Sequence, residues 1–356
     1  MNCIKRTFSL RIIILFFLAT NLFFAEADAQ ELKIKVPGEN KMSGYLMVYF
    51  KDDTHGIHMA VSDDGYAFTD INKGKPVIAG DSIAEQKGIR DPYIYRGQDG
   101  IFYMVMTDLH IFAKDAGYRQ TKWDRNEKDF GWGNNRGFVV LKSADLKVWR
   151  HQSIRIDQSF PELSQIGCAW APEIIFDEKL KQPMVYFTMR FGNGKNQIYY
   201  SYFDKDFTRI TKKPELLFNY SKDVSYIDAD ITKIGKKYHM FYVPHDGTPG
   251  IKQAISKNIN SGYVLDSNWV DDERGACEAP NLYKLIGQKK WILAYDIYGI
   301  NPHNFGFVET SDFKKFTPLG KFNQGAMKAT NFSSPKHPSI IQITAKELET
   351  LRGLFN

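Results

Sequence analysis

Three carboxylates in this chain sit where carboxylates can do chemistry. Asp91 lies in Arg90-Asp91-Pro92, Asp228 in Ile227-Asp228-Ala229-Asp230, and Glu278 in Glu278-Ala279-Pro280. Each opens a short strand-like stretch that leads into a strongly apolar run. Carboxyl groups gathered beside apolar neighbours have their pKa values driven apart. One stays ionised and activates water, one keeps a proton for a leaving oxygen, and a third orients the acid. That division of labour suits cleavage of a glycosidic bond. A lone Asp at a strand start is ordinarily a turn or cap residue, so the reading depends on all three sharing one place.

They share it because the chain repeats. Apolar-aromatic runs recur at Tyr45–Phe50, Phe102–Thr107, Pro183–Thr188, Tyr238–Val243 and Lys290–Tyr295, each followed by a second strand ending near a polar turn such as Ser62-Asp63-Asp64-Gly65. Four are preceded by an opening strand: the three already named, and Trp170-Ala171-Pro172-Glu173. The first run has none before it, but Lys336–Ile343 at the far end of the chain has the right shape. Units that cannot bury their own faces must stack. The fold expected is all-β, a five-bladed β-propeller closed by pairing of N- and C-terminal strands. A β-sandwich of the same hairpins is the alternative, and it leaves the regular repetition without a cause.

Opening strands of a propeller line its axis. Aligned on their prolines, Asp91, Asp228 and His337 take the same place, with Ala171 and Ala279 in the other two blades. Glu278 is one residue earlier, while Glu173 and Asp230 lie one beyond the proline position.

The rest of the sequence bounds this picture. Residues 1–29 read as a signal peptide: Lys5, Arg6 and Arg11 precede the mostly apolar Ile12–Ala25, and Ala27-Asp28-Ala29 offers a cleavage site before Gln30. Export to the periplasm or the outside follows, with residues 30–356 as a single domain and no later stretch apolar enough to span a membrane. The net charge of +6 is scattered in short pairs, which argues against a nucleic-acid partner. Cys168 and Cys277 lack metal-site spacing; two buried thiols are favoured over a bridge. Residues 108–136 interrupt one blade with a polar-aromatic insertion carrying Trp123 and Trp132, and long loops of this kind often serve function. Thr344 to Glu347 forms a capping box that opens a short C-terminal helix with Leu348 and Leu351 inward.

The ordered set RDPYIYRGQDGIFYMV with SADLKVW, WAPEIIFDE, YIDADITKIGKKYHMFY and EAPNLYKLIGQKKWILAY resembles glycoside hydrolase family 43. Its members are inverting five-bladed propellers acting on arabinose-, xylose- and galactose-containing polysaccharides. The resemblance covers nearly all of the chain after the leader. It implies Asp91 as general base, Asp228 as the pKa-tuning and orienting carboxylate, and Glu278 as general acid. Two motifs depart from the family: Glu-Ala-Pro replaces Glu-Gly-Pro, and Ile-Asp-Ala-Asp replaces Ile-Asp-Pro. The second leaves Asp230 as a rival to Asp228, expected to face the other side of the strand.

The resemblance also suggests substrate-binding roles for Arg90, Trp170, Glu173 and His337. Arg90 suits a sugar hydroxyl, a neighbouring carboxylate or a structural ion pair. Trp170 suits a sugar face or the core, and Glu173 a pocket wall or substrate hydroxyl. His337 falls where the family often has a channel-facing His, in some members beside a water-coordinated calcium. No cofactor is required, and a structural calcium near His337 is the one ion suggested. His245 and His303 have only loop context and are expected to be exposed. The activity implied is an exported, exo-acting α-L-arabinofuranosidase on plant-polysaccharide side chains, with an oligo- or polysaccharide as partner. Alternatives are a β-xylosidase, an exo-β-1,3-galactanase, or a propeller that only binds glycans. A retaining fructosidase-like propeller needs Asn-Asp-Pro near the start of the mature chain, where this one has Arg-Asp-Pro.

Overall fold

The computed structural model describes residues 36–115, 117–118, 125–247, 250–273 and 275–355; the proposed leader and Trp123 lie outside them. Four blades are antiparallel four-stranded sheets, contiguous in sequence. After β1 (Met42–Phe50), β2 (His58–Ser62) and β3 (Ala67–Asp70), the second blade is β4 (Ile89–Arg96), β5 (Phe102–Asp108), β6 (Gly137–Ser143) and β7 (Arg150–Arg155). The third is β8 (Ile166–Asp177), β9 (Gln182–Phe191), β10 (Gln197–Tyr202) and β11 (Glu215–Phe218). The fourth is β12 (Ser225–Ile234), β13 (Lys237–His245), β14 (Lys252–Ser256) and β15 (Val264–Trp269), and the fifth β16 (Cys277–Lys284), β17 (Trp291–Ile297), β18 (Asn304–Thr310) and β19 (Thr317–Lys321).

The first blade closes the ring. Its innermost strand is β21 (Lys336–Thr344), antiparallel to β1, with Leu46 opposite Ile341. The expected pairing of the chain's two ends is present. The sequence did not reveal β20 (Lys328–Thr330), which adds a fifth strand parallel to β3 at the outer edge. Only three residues long and carrying Lys328 and Thr330 on its exposed positions, it has no apolar pattern to betray it.

Why the second strand of each blade reads as an unbroken apolar run follows from the packing. Alternate side chains of one strand enter two different inter-blade layers. Met104 and Met106 pack toward the first blade, while Tyr103 and Val105 pack toward the third. The same split sends Tyr186 toward the fourth blade and Phe187 toward the second, and Tyr242 toward the third and Phe241 toward the fifth. The fifth layer joins Tyr45 and Met47 to Ile292 and Phe307. With both faces buried, alternation of polar and apolar residues disappears.

Cys168 and Cys277 are both free thiols, fully buried. The helix Ala345–Arg352 has the capping box expected of Thr344 and Glu347, with Leu348 and Leu351 buried. Glu347 does more than cap: its carboxylate accepts a two-pronged pair of hydrogen bonds from Arg96 on β4, each 2.7 Å long. The closing strand and its helix are thereby tied to the neighbouring blade. Glu347→Ala removes the carboxylate's half of the capping box and the ion pair together, leaving Thr344 as N-cap, and is expected to cost about 1–2 kcal/mol, read as a lower midpoint in urea unfolding at unchanged slope.

Candidate active site

Each innermost strand breaks its register at the same point. The ladder slips between Arg90 and Tyr93, Trp170 and Glu173, Ile227 and Asp230, Glu278 and Asn281, and around His337 in β21. At the break one residue per blade adopts left-handed backbone: Asp91 (φ 54°), Ala171 (44°), Asp228 (52°), Ala279 (54°) and His337 (53°). Such φ values are uncommon outside glycine. A bulge of this kind re-aims a side chain out of the alternation of its strand. The alignment on proline was therefore an alignment of five bulges.

The backbone N–H at the bulge is met by a side chain of the preceding blade. Ala171 donates to Thr107 Oγ1 (2.8 Å), Asp228 to Thr188 Oγ1 (3.1 Å) and His337 to Asp296 Oδ2 (3.3 Å). Thr107 also donates to Asp91 Oδ2 at 2.7 Å, so one hydroxyl holds both a carboxylate and the next strand.

Two of the bulge residues, and the residues before four of the bulges, converge on one cavity of about 320 Å³. Its lining includes Arg90, Asp91, Trp170, Ile227, Asp228 and Glu278, together with Leu109, Trp132, Asn196, His245 and Tyr298. The three carboxylates are gathered as expected, and Arg90 and Trp170 stand beside them. Glu173 and His337 are not in this wall. Glu173 is 3 % exposed and accepts a hydrogen bond from Tyr186 (2.7 Å), whose hydroxyl in turn accepts the N–H of Ile231. His337 is buried with Nδ1 3.3 Å from Asp91 Oδ1. It touches the carboxylate and not the cavity.

Asp230 does face away from Asp228, but for a different reason than strand alternation, which puts residues two apart on one face. The bulge between them separates their directions. Asp230 is buried, accepting from Asn281 Nδ2 and Leu282 N, both at 3.0 Å.

The electrostatics set the carboxylates apart. Burial alone would raise Asp91; the hydrogen bond and charge of His337, then Arg90 and Thr107, reverse this and hold it at about 2. His337 is raised in return: burial disfavours its charge, but the bond to Asp91 and the surrounding carboxylates outweigh it. Asp228 goes the other way, pushed up by burial and by Glu278 and Asp91, against the pull of His337 and the Ala279 N–H. Arg90 is committed to Asp52 at 2.7 Å and lies over the Phe50 ring.

The aromatic wall has its own support. Trp132 comes from the insertion and is 56 % exposed; its ring meets Trp170 edge-on at 6.0 Å. Trp170 donates from Nε1 to Gly133 O (2.8 Å), where a left-handed glycine leaves room for the ring. Arg190 lies 4.5 Å over Trp170 and donates to Phe130 O, Trp132 O and Asn196 Oδ1. Since a guanidinium only donates, Asn196 Oδ1 must face Arg190, which turns its amide N–H groups the other way.

Sequence reasoning missed Asn196, Tyr298 and Lys336, and left His245 as a loop residue. His245 is exposed as expected, yet it lines the cavity. Lys336 had a legible signal: it precedes His337 as Arg90 precedes Asp91 and Glu278 precedes Ala279. The donors around His337 do not suit calcium. Its Nδ1 is taken by Asp91, and among the described residues no three His, Cys, Asp or Glu are grouped to hold a metal.

A five-bladed propeller with a carboxylate trio at its axial mouth has the architecture of a carbohydrate-active propeller. Residues 40–349 match the family 43-related model described as a probable glycosyl hydrolase domain. The chain belongs to this glycoside hydrolase family. Among curated proteins it is similar to an α-L-arabinofuranosidase of Bifidobacterium longum, 25 % identical over 155 residues, which is 42 % of this chain and 13 % of that one. Its fold is similar to that of an endo-arabinase from Bacteroides thetaiotaomicron (TM-score 0.53, 17 % identity, 81 % of this chain and 99 % of that one). An endo-1,4-β-xylanase from the same organism gives a TM-score of 0.54 at 14 % identity, covering 78 % and 91 %.

Two substitutions separate the neighbouring aspartates. Asp230→Ala strands two buried donors and is expected to cost about 2–4 kcal/mol of stability, seen by denaturant unfolding, whereas Asp228→Asn leaves the unfolding midpoint nearly unchanged. Trp132→Ala, at an exposed position, is expected to keep wild-type stability within about 0.5 kcal/mol while weakening glycan binding several-fold by calorimetry.

Proposed function

We propose that this protein hydrolyses glycosidic bonds of plant polysaccharides with inversion, releasing terminal α-L-arabinofuranosyl residues from side chains after export from the cell. The observation that carries the hydrolytic reading is the convergence of Asp91, Asp228 and Glu278 on one cavity, with Asp91 held ionised and Asp228 pushed toward its neutral form.

In this reading Asp91 is the general base. His337 and Thr107 fix its orientation, and its charge is kept at any pH above about 2, so a water on its cavity side loses a proton to it. Glu278, on the same cavity, protonates the leaving oxygen. Asp228, in the blade next to that of Glu278, shares its field with both. Its N–H is anchored by Thr188, so the carboxyl group is placed by backbone and does not drift as charge moves. Trp170, Trp132 and Asn196 offer two aromatic faces and an amide donor to the sugar. A cavity of about 320 Å³ is at the small end for ligand pockets, which suits a terminal sugar. The arabinose preference rests on the Bifidobacterium relative and on the family resemblance.

The test is hydrolysis of aryl α-L-arabinofuranoside, β-D-xyloside and β-D-galactoside, and of arabinan and galactan, by wild type, Asp91→Asn and Glu278→Gln. Turnover of the arabinoside with the initial product anomer inverted by NMR, falling at least about a hundredfold in each variant on arabinan, is expected. Retention of configuration would overturn the two-carboxylate inverting scheme. Binding of glycans without any turnover would make the chain a binding propeller.

A further inference from the structure

We infer that Lys336 and Asp296 form a positioning pair that sets the upper pH limit for proton donation by Glu278, an inference that rests on the hydrolytic reading above. Lys336 is 3 % exposed and Asp296 is fully buried, deep in the wall behind the cavity. The Lys336 ammonium is 2.9 Å from Asp296 Oδ2 and 3.6 Å from Glu278 Oε1. Glu278 and Asp296 face each other directly across the β16–β17 ladder. One ammonium thus stands between two carboxyl groups, and it can balance the charge of only one.

Which one it balances decides whether Glu278 can be an acid. A buried ammonium beside a lone carboxyl group favours the ionised form, and an ionised Glu278 has no proton to give. Asp296 is nearer and is further held by the N–H of His337 on Oδ2. Burial and the neighbouring Glu278 push its carboxyl up to about 7 against the pull of Lys336, so it ionises and balances the ammonium as the pH rises toward that limit. Its Oδ1 has no hydrogen-bond partner among the described residues, so Lys336 is the main support of that buried charge. A buried lysine in turn needs such a partner, since an uncompensated charge there would be strongly destabilising. The arrangement therefore keeps a cation close to the acid and balances it once Asp296 is ionised.

Other groups acting on Glu278 are common to every variant considered. Asp228 comes from β12, His245 from β13 and Arg90 from β4, while His337 follows Lys336 on β21. Tyr298 and His303 complete the set from the loop after β17. Because these are unchanged, the two members of the pair should act with opposite signs. Removing the cation makes the protonated acid easier to keep; removing the anion makes it harder.

The experiment is the pH dependence of kcat/KM on a natural oligosaccharide, whose poor leaving group needs the acid. Lys336→Met should move the alkaline limb up by about one pH unit or more, and Asp296→Asn should move it down by about as much. Lys336→Arg, which keeps the charge, should stay near wild type. Shifts of the same sign, or none, would overturn the pairing. Should Lys336→Met fail to fold, the isosteric Asp296→Asn decides alone: a downward limb supports the pair, and an unmoved or upward limb overturns it. Carboxyl 13C NMR titration of the site reads the same opposed displacement without turnover. A chain that hydrolyses nothing but shows it overturns the hydrolytic reading and keeps the pair; one that turns over without it overturns the pair alone.

Discussion

Everything in this propeller depends on how the inner edge of each blade is satisfied. An innermost strand pairs on one side only, and its other edge, turned toward the axis, has N–H groups that need acceptors. Side chains of the neighbouring blade supply them. Ser339 Oγ accepts from Ile94 N, Asn281 Oδ1 from Ile340 N, and Asp230 Oδ2 from Leu282 N. Tyr186, held by Glu173, does the same for Ile231. These contacts form a belt of polar links from blade to blade. They fix the inner strands against one another, and so fix the distances among the residues that the bulges aim into the mouth.

The belt explains why so many buried carboxyl groups surround this site. Glu173 and Asp230 lie in it and are raised by burial, the mark of groups held for their acceptor oxygens more than for their charge. Asp91 and Asp228 differ because the left-handed bulge lifts them out of the belt and into the cavity wall. A strand without the bulge would return them to its faces, among the inter-blade side chains. The unfavourable backbone at five positions is tolerated because each bulge is set in a closed ring, and at three of them a side chain of the preceding blade binds the N–H.

Opposite the carboxylates, Arg190 organises the other wall in a similar way. Its guanidinium is almost fully buried, and its donors reach the insertion through Phe130 and Trp132 and its own blade through Asn196. One side chain thus joins the insertion to the sheet and supports both tryptophans. The site has a charged half built by the inner strands and an aromatic half built by Trp170 of β8 and Trp132 of the clamped loop.

Much of this was legible in the sequence. Five apolar runs with opening strands dictated five sheets, since each run must bury both faces and can do so only between neighbours. The displaced strand at Lys336–Ile343 dictated closure, and the aligned prolines marked the bulges. Asp91, Asp228 and Glu278 could be named because a repeat carries position as well as composition. Tertiary structure decided what side-chain direction and partners decide. Glu173 and His337 occupy repeat positions as suggestive as Asp228, yet the ring turns one into the belt and the other onto Asp91. Asn196, His245, Tyr298 and Arg190 lie outside the repeat pattern, and nothing local marks them as lining or supporting a cavity. Lys336 needed both kinds of information: its place before the bulge was in the sequence, but its two carboxyl partners come from strands forty to sixty residues away, and only closure of the ring brings them together.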